Sequence, residues 1–248
     1  MAEQAGVTWK FVAVPEPIQN LGVGNAADRY EGYAAERADL LAFIREQNIR
    51  NVVFIAADIH GTLVNDLTYL PAFSLTDPQL PTGAFEVTTG PVAYDPPFGP
   101  TVVELAAALG LLTPEQVATY QTLPVANDPD DVVDDKDDFV KAAADQLLNT
   151  LGYSPLGLAD SSIHAELLAG DYLAVHTFGW TEFAIDAVSQ QLMVTTYGIP
   201  PYGAQDLADN PAAVLAATPE IVSRFVVTPA GAPTDGANRG LYLPIIAR

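Results

Sequence analysis

Asn51-Val-Val-Phe-Ile-Ala-Ala-Asp58-Ile-His60-Gly61-Thr62 decides the fold. Val52 to Ala57 are apolar without a break, the composition of a strand buried on both faces. The run ends at Asp58 and His60, two groups too polar to remain in an apolar layer without a partner. In open α/β sheets ligands bind just beyond the carboxyl ends of the strands. Side chains two apart on an extended segment share a side, so Asp58 and His60 are expected to aim at one point. Gly61 leaves room there for close backbone approach. A carboxylate beside an imidazole is a metal-ligand pair; an Asp capping a loop with a hydrogen-bonded His gives the same three letters.

Upstream, Tyr33 to Gln47 reads as a helix whose inner stripe carries Tyr33, Leu40, Leu41 and Ile44. Arg37 lies one turn beyond Tyr33 on the same side. Its planar guanidinium suits a phosphoryl group, and equally a surface ion pair. Thr8–Val14 alternates as a strand stopped by Pro15-Glu-Pro17, and Gln19–Asn25 is a glycine-bearing loop without the lysine of a phosphate loop.

The order Asp28-Arg-Tyr-Glu-Gly32-Tyr33, then Arg37, a helix and a strand closing in Ala57-Asp58-Ile-His60 resembles the carboxyl-terminal half of the PhoD-like alkaline phosphatases, calcineurin-like metallophosphoesterases. Ala57 stands where that pattern has Gly. Looser matches are Thr8-Trp-Lys-Phe-Val, Phe85-Glu-Val-Thr-Thr-Gly-Pro91 and His176-Thr-Phe-Gly-Trp180, so the resemblance covers about residues 7 to 228. It implies an α/β fold, the carboxyl-terminal half of a four-layer α/β/β/α sandwich with a helical insertion at about 95–160. It implies metal-dependent phosphoester hydrolysis of a small substrate, with Asp58 a metal ligand and His60 on metal or leaving group. Two metal ions follow, iron and calcium, with zinc or manganese as alternatives. Asp28 is a candidate for orienting a ligand or substrate group, and Arg37 and Asn65 are candidate substrate contacts. The family's remaining ligands lie in an amino-terminal part with no match here, so the chain is expected to hold half of an active site.

The 248 residues are 49% hydrophobic and 17% charged, enough for a sizeable core. Thirty-one acids against 10 bases give a formal charge of -21, which repels nucleic acid and anionic membranes. There is no cysteine, so disulfides and thiolate sites are excluded. No stretch is long enough to span a membrane, and the first residues lack a signal peptide's pattern. The resemblance implies a secreted or cell-surface parent protein. A second reading is a non-catalytic acidic module, with or without bound calcium, of an exported protein.

Further along, Asn65, Asp66 and Tyr69 fall in a strand or hairpin edge, and Phe85–Thr89 in another strand. Helices are expected at Val102–Leu111, after Thr113-Pro-Glu-Gln116, which holds both capping-box residues, and at Phe139–Leu151. Asp128 to Asp138 holds seven aspartates in eleven residues. Val133 and Phe139 stand where a calcium loop needs Gly and Glu, so it reads as an exposed acidic loop feeding a helix N-terminus. Asp171–Gly198 reads as an antiparallel unit with His176 inside a strand, His164 as part of a polar helical segment, and Arg224–Val227 as a last strand. Residues 229–248 are linker and a short apolar tail.

Overall fold

In the computed structural model, residues 6–22, 27–71, 77–93, 96–126 and 132–231 are described. Parts of the glycine loop and of the aspartate run, and the apolar tail, lie outside them. Two sheets stack face to face. The first has strand order β1-β2-β4-β3-β6, with β1 (Lys10–Ala13), β2 (Val52–Ala56), β3 (Thr62–Tyr69), β4 (Leu80–Thr88) and β6 (Leu173–Ala174). β1, β2 and β4 run parallel; β3 is antiparallel to β4 and to β6. The second is antiparallel throughout, in the order β5 (Ala165–Gly170), β9 (Glu220–Val227), β8 (Leu192–Ile199) and β7 (Phe178–Ile185).

The unbroken apolar run of β2 follows from its place in the stack. Val53 points into the inter-sheet core with Val64, Phe85 and Val87, against Leu192, Val194, Phe225 and Val227 of the second sheet. Edge-to-face rings join the sheets, Phe85 to Phe225 at 6.3 Å and Phe11 to Phe183 at 5.7 Å. Val52 and Phe54 face the other way, onto Leu41 and Ile44 of α1 (Ala34–Glu46). With both faces covered there is no polar side for the strand to show. Each fully buried Phe or Leu contributes about 2–3 kcal/mol.

The inner stripe of α1 is Arg37, Leu41 and Ile44. Tyr33, expected on it, is exposed, because a tight 3-10 turn at Tyr30–Tyr33 precedes the helix and breaks its phase. Three helices, α2 (Phe98–Ala108), α3 (Pro114–Thr122) and α4 (Lys136–Thr150), share a second core with Ile59, Leu63, Leu173 and Val175. α3 starts on the capping box: Thr113 N donates to Gln116 Oε1 at 2.8 Å and Gln116 N to Thr113 Oγ1 at 3.2 Å. Two short helices, α5 (Ala204–Asp209) and α6 (Pro211–Ala216), bury no side chain, and Leu168, Trp180 and Ile221 of the second sheet are exposed. The described layers are thus α1, sheet and sheet, with α2–α4 packed alongside.

β3 is the strand expected there, with Asn65, Asp66 and Tyr69 paired to β4, and Leu173–Ala174 pairs only with its first two residues, Thr62 and Leu63. Several expectations are corrected. The segment through His176 is no meander strand. Asp137 Oδ1 takes the N–H of Val175 and Gly99 N–H takes its carbonyl, so the backbone there cannot continue a ladder, and β7 starts at Phe178. The β7–β8 hairpin itself turns where expected, with Asp186 Oδ1 accepting the N–H groups of Val188 and Ser189. His164 is exposed and leads into β5, in no helix. The end of the aspartate run is not solvated: Asp135, Asp137 and Asp138 are buried. Asp135 caps α4 by accepting Asp138 N–H at 2.9 Å, because a helix start sunk in the fold must find acceptors inside it.

Candidate active site

The carboxyl ends of the three parallel strands lie side by side and are stitched together. Val14 N donates to Ile55 O and Thr89 N to Ala56 O, each at 2.9 Å. Asp58 and His60 follow β2 at this edge. Strand alternation does not place them, as the strand ends at Ala56 and both residues have left-handed backbone, φ 73° at Asp58 and 53° at His60. Ile59 N–H donates to Ala57 O across a three-residue turn centred on Asp58. Such backbone at two non-glycine residues costs roughly 1–3 kcal/mol each and persists only where its surroundings enforce it.

Those surroundings are specific. Thr88 Oγ1 donates to Gly61 O at 2.7 Å and accepts from Leu63 N at 2.8 Å, fixing the far side of the turn. Phe98 N, at the start of α2, donates to His60 O at 2.8 Å. Gly61 is pressed against its neighbours: a Cβ there would stand 2.7 Å from Val175 Cγ1 and 3.2 Å from Phe98 Cβ. The turn leaves Asp58 exposed, Ile59 in the helical core and His60 half-buried.

Asp58 has a carboxylate neighbour that sequence reasoning missed. Glu16, in the proline-flanked loop after β1, has its pKa raised by burial, then by the Asp58 carboxylate; Asp28 adds to the rise and Arg29 opposes it. Glu16, Asp58 and Asp28 therefore form an acidic group at the strand ends. Glu16 Oε2 is buried there and accepts no other hydrogen bond, and a hydrogen bond shared with the Asp58 carboxyl adds to the raised pKa. A signal was present in the sequence, since Pro-Glu-Pro directly after a strand fixes a carboxylate at that strand's end. The resemblance implies that Pro15–Asn20 lies near the site, yet nothing in the local sequence says that Glu16, rather than Gln19 or Asn20, meets Asp58.

Arg37 and Asn65 are elsewhere. Arg37 is 6% exposed, its Nε donates to Ile18 O at 2.5 Å, and burial lowers its pKa to about 10 against the opposing pull of Glu86. Asn65 is buried in mid-strand, opposite Glu86 on β4. Glu86, also missed, is fully buried. Its carboxylate accepts Ile18 N at 2.6 Å, Gln19 N at 3.3 Å and Gln19 Nε2 at 2.9 Å. Burial nonetheless pushes its pKa up to about 7, outweighing those donors and Arg37. Glu31 accepts the next N–H groups, Leu21 at 3.2 Å and Gly22 at 2.7 Å. The stretch that carries Glu16 toward Asp58 is thus held by two carboxylates and by Arg37. The five candidate residues fall into two sets: Asp28, Asp58 and His60 at the strand ends, and Arg37 and Asn65 beneath the loop.

Hard oxygen donors suit the cations expected here. Among the described residues, however, no three Asp, Glu or His side chains converge closely enough to enclose an ion. The donors are of the right chemistry but do not make a complete set. Two cavities lie apart from this edge. One of about 350 Å³ is bordered by Asp66, Asp138, Lys141, Asp145 and Asp160. Burial raises the pKa of Asp66 to about 6. The other, about 490 Å³, is mostly apolar and is lined chiefly by α2 and α4, with Leu63 and Leu173 at its floor. Neither is lined by Asp58 or His60.

The family model described as PhoD-like phosphatase matches residues 2–138, more than half of the chain and all of the elements that build this edge. The chain belongs to the PhoD-like phosphatase family. The looser resemblance around His176 falls outside the matched residues. A solved structure titled "Structure of PhoD" aligns with 96% of this chain at 13% identity and a TM-score of 0.48. The chain spans 34% of that protein's length. No curated protein matches. Among the described residues no helix is long and apolar enough to cross a membrane.

Proposed function

We propose that this chain supplies part of the active site of a metal-dependent phosphoester hydrolase acting on a small phosphoester. The observation that carries the proposal is the enforced turn after β2, which sets Asp58 beside Glu16 at the ends of the parallel strands. Two carboxylates forced together, one of them partly desolvated, favour a bound cation or a shared proton. In this reading Asp58 and Glu16 hold a metal ion, His60 faces the metal or the leaving group, and Asp28 orients a ligand. Iron with calcium is the expected pair, and manganese or zinc the alternatives. Metal ions of this kind neutralise charge on the phosphoryl oxygens. The ligands that would complete the set are assigned to another part of the same domain. Arg37 holds the loop that carries Glu16 through its bond to Ile18 O, and Asn65 stays buried on β3 opposite Glu86. The acidic, cysteine-free composition fits a secreted or cell-surface parent protein, a location that fractionating producing cells would test.

The test of function compares this chain with a longer protein extended toward the amino-terminal part, each supplied in turn with iron, calcium, manganese and zinc. Turnover of a p-nitrophenyl phosphoester is expected from the extended protein and to be at or near background for this chain. Asp58→Asn in the extended protein is expected to abolish turnover while leaving the fold intact, since it keeps the volume and removes the ligand charge. Retained turnover with unchanged metal content refutes the assignment of Asp58.

A further inference from the structure

Three polar side chains outside the surface site are sunk in the core around α3 and α4. Tyr120, Asp137 and His176 are 4%, 2% and 3% exposed. Both ring nitrogens of His176 are engaged: Nδ1 lies 2.8 Å from Asp137 Oδ1, and Nε2 lies 2.8 Å from the Tyr120 hydroxyl. One placement of protons satisfies the row, with Nδ1–H donating to the carboxylate and the tyrosine hydroxyl donating to Nε2. The pKa of Tyr120 is pushed up to about 12, by burial first and then by Asp137 and Glu104, so the hydroxyl keeps its proton. Apolar residues would fill this space at less cost than an acid, an imidazole and a hydroxyl taken out of water. The row fixes the direction of one ring.

That direction matters because of what rests on it. Asp137 Oδ1 also accepts Val175 N at 2.9 Å, Val175 O accepts Gly99 N at 2.8 Å, and the adjacent Phe98 N donates to His60 O at 2.8 Å. Gly99 lies against the imidazole so closely that a Cβ there would stand 2.3 Å from His176 Nε2. The ring therefore sets how near the first turn of α2 can approach, and that turn holds the backbone of His60. We propose that His176, oriented by Asp137 and Tyr120, is a positioning residue that fixes His60 through the first turn of α2. The proposal rests on the reading of Asp58 and His60 as the active site.

The chain has three histidines, so the ring ¹H–¹³C signals of His60, His164 and His176 are separately assignable in the full chain. Tyr120→Phe removes only the hydroxyl, and Asp137→Asn keeps the shape while changing the charge. Leu148→Ala, a packing change in the same core, is the control for general loosening. The His60 signals are expected to move in Tyr120→Phe and Asp137→Asn and to stay in place in Leu148→Ala, with exposed His164 unmoved throughout. Unmoved His60 signals in the first two variants, or an equal movement in Leu148→Ala, overturn the proposal. Manganese added to the parent chain is expected to broaden the His60 signals, with a midpoint about tenfold higher in the two polar variants. If manganese leaves His60 sharp in the parent, this chain by itself holds no metal at His60, and the metal-free shifts still decide the positioning role.

Discussion

Replacing Glu86 by Gln tests the loop clasp through its dependence on pH. The carboxyl is fully buried beneath the Ile18–Gln19 backbone, and burial moves its pKa from an ordinary 4.5 to about 7. A carboxyl whose pKa is raised on folding favours the folded state while both states are protonated, below about 4.5. That favour is lost as the pH rises through about 7. Moving the pKa over that interval is worth about 3 kcal/mol. The parent chain should therefore lose about that much stability from Glu86 alone between pH 4.5 and 8. Self-repulsion of a -21 chain acts in the same direction, so the informative quantity is the difference between the parent and Glu86→Gln. The variant has no proton to lose there, and its pH slope should be shallower by about 3 kcal/mol. It should also be weaker than the protonated parent by about 1–3 kcal/mol. Its amide must turn N–H toward one of the donors now satisfied by the carboxylate, leaving that group unpaired. Urea midpoints measured for both proteins at half-unit pH steps give the comparison. Parallel curves would show that Glu86 titrates as an ordinary carboxyl, and the argument from its burial would be wrong.

Gly61→Ala drives a Cβ to 2.7 Å from Val175 Cγ1, whose backbone is pinned on both sides, and should cost about 1–3 kcal/mol. Val175→Ala makes room, so the double variant should be more stable than additivity allows. Additive losses by chemical denaturation would refute the contact. Asp135→Ala removes the cap of α4 and should cost about 1 kcal/mol, read as a lowered melting temperature; Asp134→Ala, at an exposed position, should change little. Calorimetry with calcium on a variant carrying Asn at Asp128, Asp130, Asp131 and Asp134 should match the parent. Loss of a micromolar site would make the aspartate run a calcium loop after all.

The sequence by itself determined the elements whose cause is local. The apolar run of β2 had to lie between two covered faces, whatever covered them. The capping box at Thr113 and Gln116 had to begin a helix, because its two bonds close within four residues. Asp186 had to turn the β7–β8 hairpin for the same reason. It also placed Asp58 and His60 at a strand end, although by an alternation the backbone does not keep. Only the tertiary structure decided what these residues meet. Glu16 reaches Asp58 because β1 pairs with β2, a contact between residues 42 apart that no spacing rule encodes. Arg37 turns inward because a buried carboxylate on β4 and a loop carbonyl need a donor there. Asp137 leaves an acidic run for the core because His176, distant in sequence, offers it a ring N–H. Buried polar groups take partners wherever the fold brings them, and those partners are fixed only once the layers have closed.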